Sequence, residues 1–208
     1  MDRAAPPPDP IGDPATSASA WNIANALTLL RLLMVPVFAA FLFHGDGHRT
    51  GWRITAAVIF GLASITDRID GELARRRSLI TEFGELADPI ADKALIGTAL
   101  VGLSMVGDLP WWVTLVIVVR EVGVTLLRFW VIRHGVMPAS RGGKVKTLLQ
   151  AVAIGLYVLP LGGWWHGAAV AVMAAALVLT VVTGGDYVSR ALSVRRAGRV
   201  RSAVRASR

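Results

Sequence analysis

The chain has 208 residues, is 54% hydrophobic, carries a formal net charge of +8 and contains no cysteine. Its mean hydropathy of +0.55 is too high for an ordinary soluble domain and predicts a polytopic membrane protein. The missing cysteine excludes disulfides, a thiolate metal site and a cysteine nucleophile. The basic excess lies mostly in the C-terminal arginines, and is read as a cytoplasmic mark facing anionic lipid headgroups, with no nucleic-acid partner.

Residues 1–20 are rich in Pro, Ala, Asp and Ser. They carry no apolar period and no basic n-region before an apolar core, so a disordered cytoplasmic tail is expected and a signal peptide is not. Trp21 to Phe43 is the first apolar stretch. Asn22 or Asn25 can cap its helix, and Arg31 must snorkel or face a polar interior. Trp52 to about Arg75 is the second stretch, interrupted late by Asp67 and Asp70. Thr81 to Val106 is the third, with Asp88 and Asp92 in its first half and Pro89 marking a kink or a turn.

Trp111 to about Ile132 is the fourth stretch and encloses Arg120 and Glu121. A polar loop over 133–146 follows, then a short fifth stretch from Thr147 to Leu161. The sixth runs from Ala168 to about Leu192 and is interrupted by Gly184-Gly185-Asp186-Tyr187. Six stretches of this length predict an all-α, six-helix transmembrane domain over 21–192 and a basic cytoplasmic tail over 193–208. Both termini then share one side. The basic loops around 75–81 and 133–146 and the C-terminal tail assign that side to the cytoplasm.

Four aspartates stand out against this apolar background. Asp67 and Asp70 form an i,i+3 pair and Asp88 and Asp92 an i,i+4 pair, so each pair projects from one helical face. One pair leaves the membrane where the other enters it, at the cytoplasmic face. Carboxylates that converge uncompensated would repel one another. A divalent ion removes the difficulty, and magnesium and manganese prefer hard oxygen ligands. Four carboxylates on two helices suit a pair of ions engaged in displacement at phosphorus. Glu72, Glu82 and Glu85 read instead as partners of nearby arginines. Gly71, Ala74 and Gly84 allow close approach of a nucleotide or, equally, of a neighbouring helix.

The run Asp67-xx-Asp70-Gly71-xx-Ala74-Arg75-x8-Gly84-xxx-Asp88-xxx-Asp92 resembles the signature of the CDP-alcohol phosphatidyltransferase family at every fixed position. Three further segments are similar to those of members that use glycerol 3-phosphate: Asn22 to Arg31, with Ala24 where proline is usual, Arg120 to Arg128, and Gly143-Lys144-Val-Lys146-Thr147-Leu-Leu-Gln150. The resemblance implies transfer of a phosphatidyl group from CDP-diacylglycerol to an alcohol with release of CMP. It implies two Mg2+ or Mn2+ ions held by Asp67, Asp70, Asp88 and Asp92, with Asp92 also the general base. It assigns Gly71, Ala74 and Arg75, with Asn25 and Thr28, to the CDP moiety. It points to Arg120, Lys144 and Lys146 for the phosphate of glycerol 3-phosphate, although Arg120 beside Glu121 reads equally as a structural ion pair. A homodimer in the cell membrane is a further implication.

Within the family, phosphatidylglycerol as acceptor (a cardiolipin synthase) and inositol phosphate as acceptor (a phosphatidylinositol phosphate synthase) are the alternatives. From another class, a small cation transporter would carry repeated halves and polar groups near mid-membrane. Here the aspartates are confined to the second and third stretches, with no second copy in the last three.

Overall fold

In the computed structural model, residues 23–77, 82–132 and 141–206 are described. Within them, the side chains of 23–24, 68–77, 82–86, 88–89, 128–132, 141–144 and 190–206 lie outside the description. Six helices account for nearly all of it: α1 (Ile23–Phe43), α2 (Thr50–Arg77), α3 (Glu82–Met105), α4 (Trp111–Ile132), α5 (Arg141–Val158) and α6 (Trp164–Ala206). No strand occurs among the described residues. At 1.5 Å per residue the 21 residues of α1 span about 31 Å, the thickness of a hydrocarbon core.

By length and composition, α1 over Asn25–Phe43 and α6 over Trp164–Ser189 are apolar enough to cross a membrane, and α5 holds a shorter apolar run, Val145–Val158. The outward faces are apolar throughout. Leu29, Leu33, Val58, Leu62, Leu115, Val119, Val178 and Val182 are all exposed, an arrangement that costs little against lipid and much against water.

The helices form a bundle in which α1 packs on α2 and α3, α6 on α4 and α5, and α3 touches α4 and α5. One apolar cluster joins all six. Phe38 and Leu42 of α1, Phe60 of α2, Leu100 and Leu103 of α3, Ile117 of α4, Ile154 of α5 and Met173 of α6 belong to it. The buried face of α6 is a stripe of mostly small residues, Ala169, Met173, Ala176, Thr180 and Gly184, spaced three or four apart as a single helical face requires. Small side chains let helices approach closely where no hydrophobic drive separates lipid from protein.

The end opposite the aspartates is closed by a single arginine. Arg53, in the first turn of α2, is 5% exposed. Its Nε donates to Val158 O at 2.8 Å, its Nη2 to Tyr157 O at 2.5 Å and its Nη1 to Gly47 O at 2.9 Å. It also pairs with the Asp108 carboxylate. Positive φ at Gly45, Asp46 and Gly47 turns the chain sharply enough to present the Gly47 carbonyl. Trp52, Trp111, Trp112, Trp164 and Trp165 are exposed at this same end, as an aromatic belt at a membrane interface would be.

Three local expectations are corrected. The 133–146 stretch is not loop throughout, because α5 begins at Arg141; Lys146, bonded to α4, holds these early polar turns in the bundle. Of the kink or turn expected at Pro89, the turn does not occur: α3 continues through it as helix, since a proline deletes a single main-chain donor and can be carried within a packed helix. Nor does Gly184-Gly185 interrupt α6. A Cβ at Gly184 would stand 3.1 Å from Arg120 Cγ, so this glycine makes room for a side chain from α4.

Candidate active site

Two layers of polar residues sit at the aspartate end. The first lies among α1, α2 and α3. Asn25, Thr28 and Arg31 occupy one face of α1 at three-residue spacing and are 5%, 2% and 0% exposed. They continue the buried stripe that Phe38 and Leu42 form lower on the helix. α1 thus has an apolar half in the core and a polar half beside Asp67. Arg31 Nη1 lies 2.6 Å from Asp67 Oδ1. The sequence left the purpose of Arg31 open, and the fold makes it the buried counter-charge of the first aspartate.

Asp92, on α3, is half-buried. It lies within electrostatic reach of Asp67 and Arg31 of the first layer and of Glu121 and Lys146 of the second. It therefore joins the two layers. The second layer comes from α4, α5 and α6. Glu121 Oε1 accepts from Arg120 Nη1 at 2.9 Å and from Lys146 Nζ. Arg120 Nε donates to Thr180 O at 3.0 Å and its Nη2 to Thr183 Oγ1 at 2.7 Å. Lys93, next to Asp92, donates to Thr125 Oγ1 at 2.5 Å, and Thr125 Oγ1 donates to Glu121 O at 2.7 Å.

Beside the second layer a pocket opens among α3, α4 and α5. Asp92, Lys93, Glu121, Lys146, Thr147 and Gln150 supply its polar wall, and Ile96, Leu100, Ile117 and Val118 its apolar one. A carboxylate and an ammonium thus address one cavity. That arrangement fits a small ligand carrying both a hydroxyl and an anionic group.

Of the residues expected from sequence, Asp67, Asp92, Asn25, Thr28, Arg120 and Lys146 are brought to this end. The side chains of Asp70, Gly71, Ala74, Arg75, Asp88 and Lys144 lie outside the described residues, although their helical positions set Asp70 about one turn after Asp67 on α2 and Asp88 about one turn before Asp92 on α3. Among the described residues no three acidic or histidine side chains gather into a metal cluster, two of the four aspartates being outside them. The donors that are described suit a hard divalent ion: two carboxylates on adjacent helices, close enough for their charges to act on one another, with no soft ligand beside them.

The family model for CDP-alcohol phosphatidyltransferases matches residues 21–182. The chain belongs to the CDP-alcohol phosphatidyltransferase family. It is 64% identical over 181 residues to a probable phosphatidylglycerophosphate synthase of Mycobacterium tuberculosis, covering 87% of each chain. It is 34% identical over 183 residues to the CDP-diacylglycerol–glycerol-3-phosphate 3-phosphatidyltransferase of Bacillus subtilis, covering 82% of this chain and 95% of that one. Its identity to the Escherichia coli protein of the same name is 36% over 177 residues, with the same coverages. This phosphatidyltransferase carries two features that sequence reasoning passed over. One is the burial of Arg31 against Asp67. The other is that Glu121, read from the sequence only as an ion-pair partner of Arg120, also holds Lys146.

Proposed function

We propose that the protein transfers the phosphatidyl group of CDP-diacylglycerol to glycerol 3-phosphate, giving phosphatidylglycerol phosphate and CMP. The observation that carries this reading is that Asp92 and Lys146 share one pocket, in a chain whose relatives are named for this reaction. The acceptor binds with its phosphate towards Lys146 and Lys144, Arg120 standing behind them, and its primary hydroxyl towards Asp92. The hydroxyl oxygen attacks the phosphorus that carries diacylglycerol. The bond from that phosphorus to the oxygen shared with CMP breaks, and CMP leaves with the oxygen. The hydroxyl proton passes to the Asp92 carboxylate. A carboxylate is a weak base, but the transfer need only accompany bond formation.

Asp67, Asp70, Asp88 and Asp92 would hold two Mg2+ or Mn2+ ions, whose charge would stabilise the pyrophosphate oxygens as CMP departs. Arg31 keeps the Asp67 carboxylate in place on α2. Gly71, Ala74 and Arg75 line the CDP subsite with Asn25 and Thr28. The chain crosses the cell membrane six times, with both termini and the site on the cytoplasmic side and Trp52, Trp111, Trp112, Trp164 and Trp165 at the far interface. Residues 1–20 and 193–208 are the cytoplasmic tails of a 21–192 catalytic domain, and two copies form a homodimer.

Purified protein offered CDP-diacylglycerol with glycerol 3-phosphate, phosphatidylglycerol or inositol phosphate tests the acceptor. CMP release is expected with glycerol 3-phosphate. Release with another of the three and none with glycerol 3-phosphate would replace this reading.

A further inference from the structure

Glu121 holds two cations of the second layer at once. Arg120 precedes it on α4, Lys146 stands on α5, and both donate to its Oε1. Arg120 is in turn fixed to α6 through Thr180 O at 3.0 Å and Thr183 Oγ1 at 2.7 Å. Gly184 leaves the space in which that guanidinium lies, the Cβ of any other residue standing 3.3 Å from Arg120 Nε. The chain Thr183–Arg120–Glu121–Lys146 therefore links three helices at the wall of the pocket.

Lys146 is only 2% exposed, whereas Glu121 is 25% exposed. A buried ammonium on a four-carbon stem needs a counter-charge to stay charged and a partner to fix its direction. Glu121 supplies both. An ammonium has three N–H donors, and the bond to Glu121 uses one of them. The same carboxylate accepts from Arg120, which donates to Thr180 O and Thr183 Oγ1, so it also ties the Lys146 side of the cavity to α6.

We propose that Glu121 is a positioning residue for the acceptor: it holds the Lys146 ammonium charged and turned into the pocket opposite Asp92, and so sets the affinity for the acceptor's phosphate. This rests on the phosphatidyltransferase reading above. The carboxylate itself repels a dianionic phosphate, so its value lies in the placement of Lys146. The two effects have opposite signs in experiment.

The test uses the full-length protein in detergent micelles, with CMP release measured while each substrate is varied in turn. Glu121→Gln keeps the shape and loses the charge. It is expected to raise the KM for glycerol 3-phosphate about tenfold, the size of one charge-assisted hydrogen bond, with the KM for CDP-diacylglycerol changed less than about twofold. Glu121→Asp keeps the charge and is expected to recover most of the loss. Glu121→Gln combined with Lys146→Ala is expected to be no worse than Lys146→Ala alone, because the first residue acts through the second. If Glu121→Gln does not fold, Glu121→Asp carries the same test, with a smaller rise confined to the glycerol 3-phosphate KM.

A fall in that KM would mean that the carboxylate competes with the phosphate, and overturns the proposal. So would equal changes in both KM values, or additive effects in the double variant. Wild-type protein that releases no CMP with glycerol 3-phosphate refutes the functional reading and this role with it. Wild-type release without the KM split in Glu121→Gln refutes only the role of Glu121.

Discussion

Arg53→Met removes a guanidinium from the end of the bundle farthest from the aspartates and keeps a side chain of comparable length. The Nε, Nη1 and Nη2 of Arg53 meet main-chain carbonyls at 2.8, 2.9 and 2.5 Å, and Nη1 also meets the Asp108 carboxylate. Each hydrogen bond from a charged donor is worth roughly 1.5–3 kcal/mol when lost. The sum is not realised in full, because Asp108 is 24% exposed and water can take up part of the freed valence. The expected loss is about 3–5 kcal/mol, as for a broken buried ion pair. For a chain of this size that lowers Tm by roughly 6–20 °C. Thermal unfolding in micelles, followed by tryptophan fluorescence, reads it, since Trp52, Trp111 and Trp164 stand at the same end. Below the transition, both KM values should be unchanged. A Tm shift under about 2 °C would refute the reasoning, because it would mean that the Val158, Tyr157 and Gly47 carbonyls do not depend on Arg53.

Other variants probe the site. Lys146→Ala and Lys144→Ala are each expected to raise the KM for glycerol 3-phosphate by about tenfold or more, with little change for CDP-diacylglycerol; equal effects on both substrates would count against their assignment. Gly184→Val forces the Arg120 side chain off α6, and a loss of about 1–3 kcal/mol is expected from overpacking, read as a lowered Tm with a raised glycerol 3-phosphate KM. Chelation of divalent ions is expected to abolish CMP release, with Mg2+ or Mn2+ restoring it; activity that survives exhaustive chelation would remove the metal from the account.

The aspartate stretch was legible in the sequence because its information is local. Asp67, Asp70, Asp88 and Asp92 lie on two consecutive helices, and helical spacing alone puts each pair on one face. The helices themselves were legible from their apolar runs, and the limits of α4 came out as Trp111–Ile132 in both sequence and structure. What the sequence hid depends on long-range contact. Arg53 reads as a stray positive charge near an outer turn until Val158, 105 residues away, is brought against it. Glu121 reads as a neighbour of Arg120 until α5 delivers Lys146. Gly184 reads as a helix breaker, because a glycine's local cost is visible in a sequence and the side chain that needs its space is not. The start of α5 was missed for a related reason: its first turns are too polar to register as part of an apolar stretch, and they are held by a bond to another helix.

The central claim is that Asp92, where the aspartate helices meet the Lys146 pocket, takes the proton of the attacking hydroxyl. Asp92→Asn keeps the shape of the side chain and removes its basicity. With CDP-diacylglycerol, glycerol 3-phosphate and Mg2+ supplied, the wild-type protein should release CMP and Asp92→Asn almost none, at an unchanged Tm. Substantial CMP release from a folded Asp92→Asn protein would contradict the account.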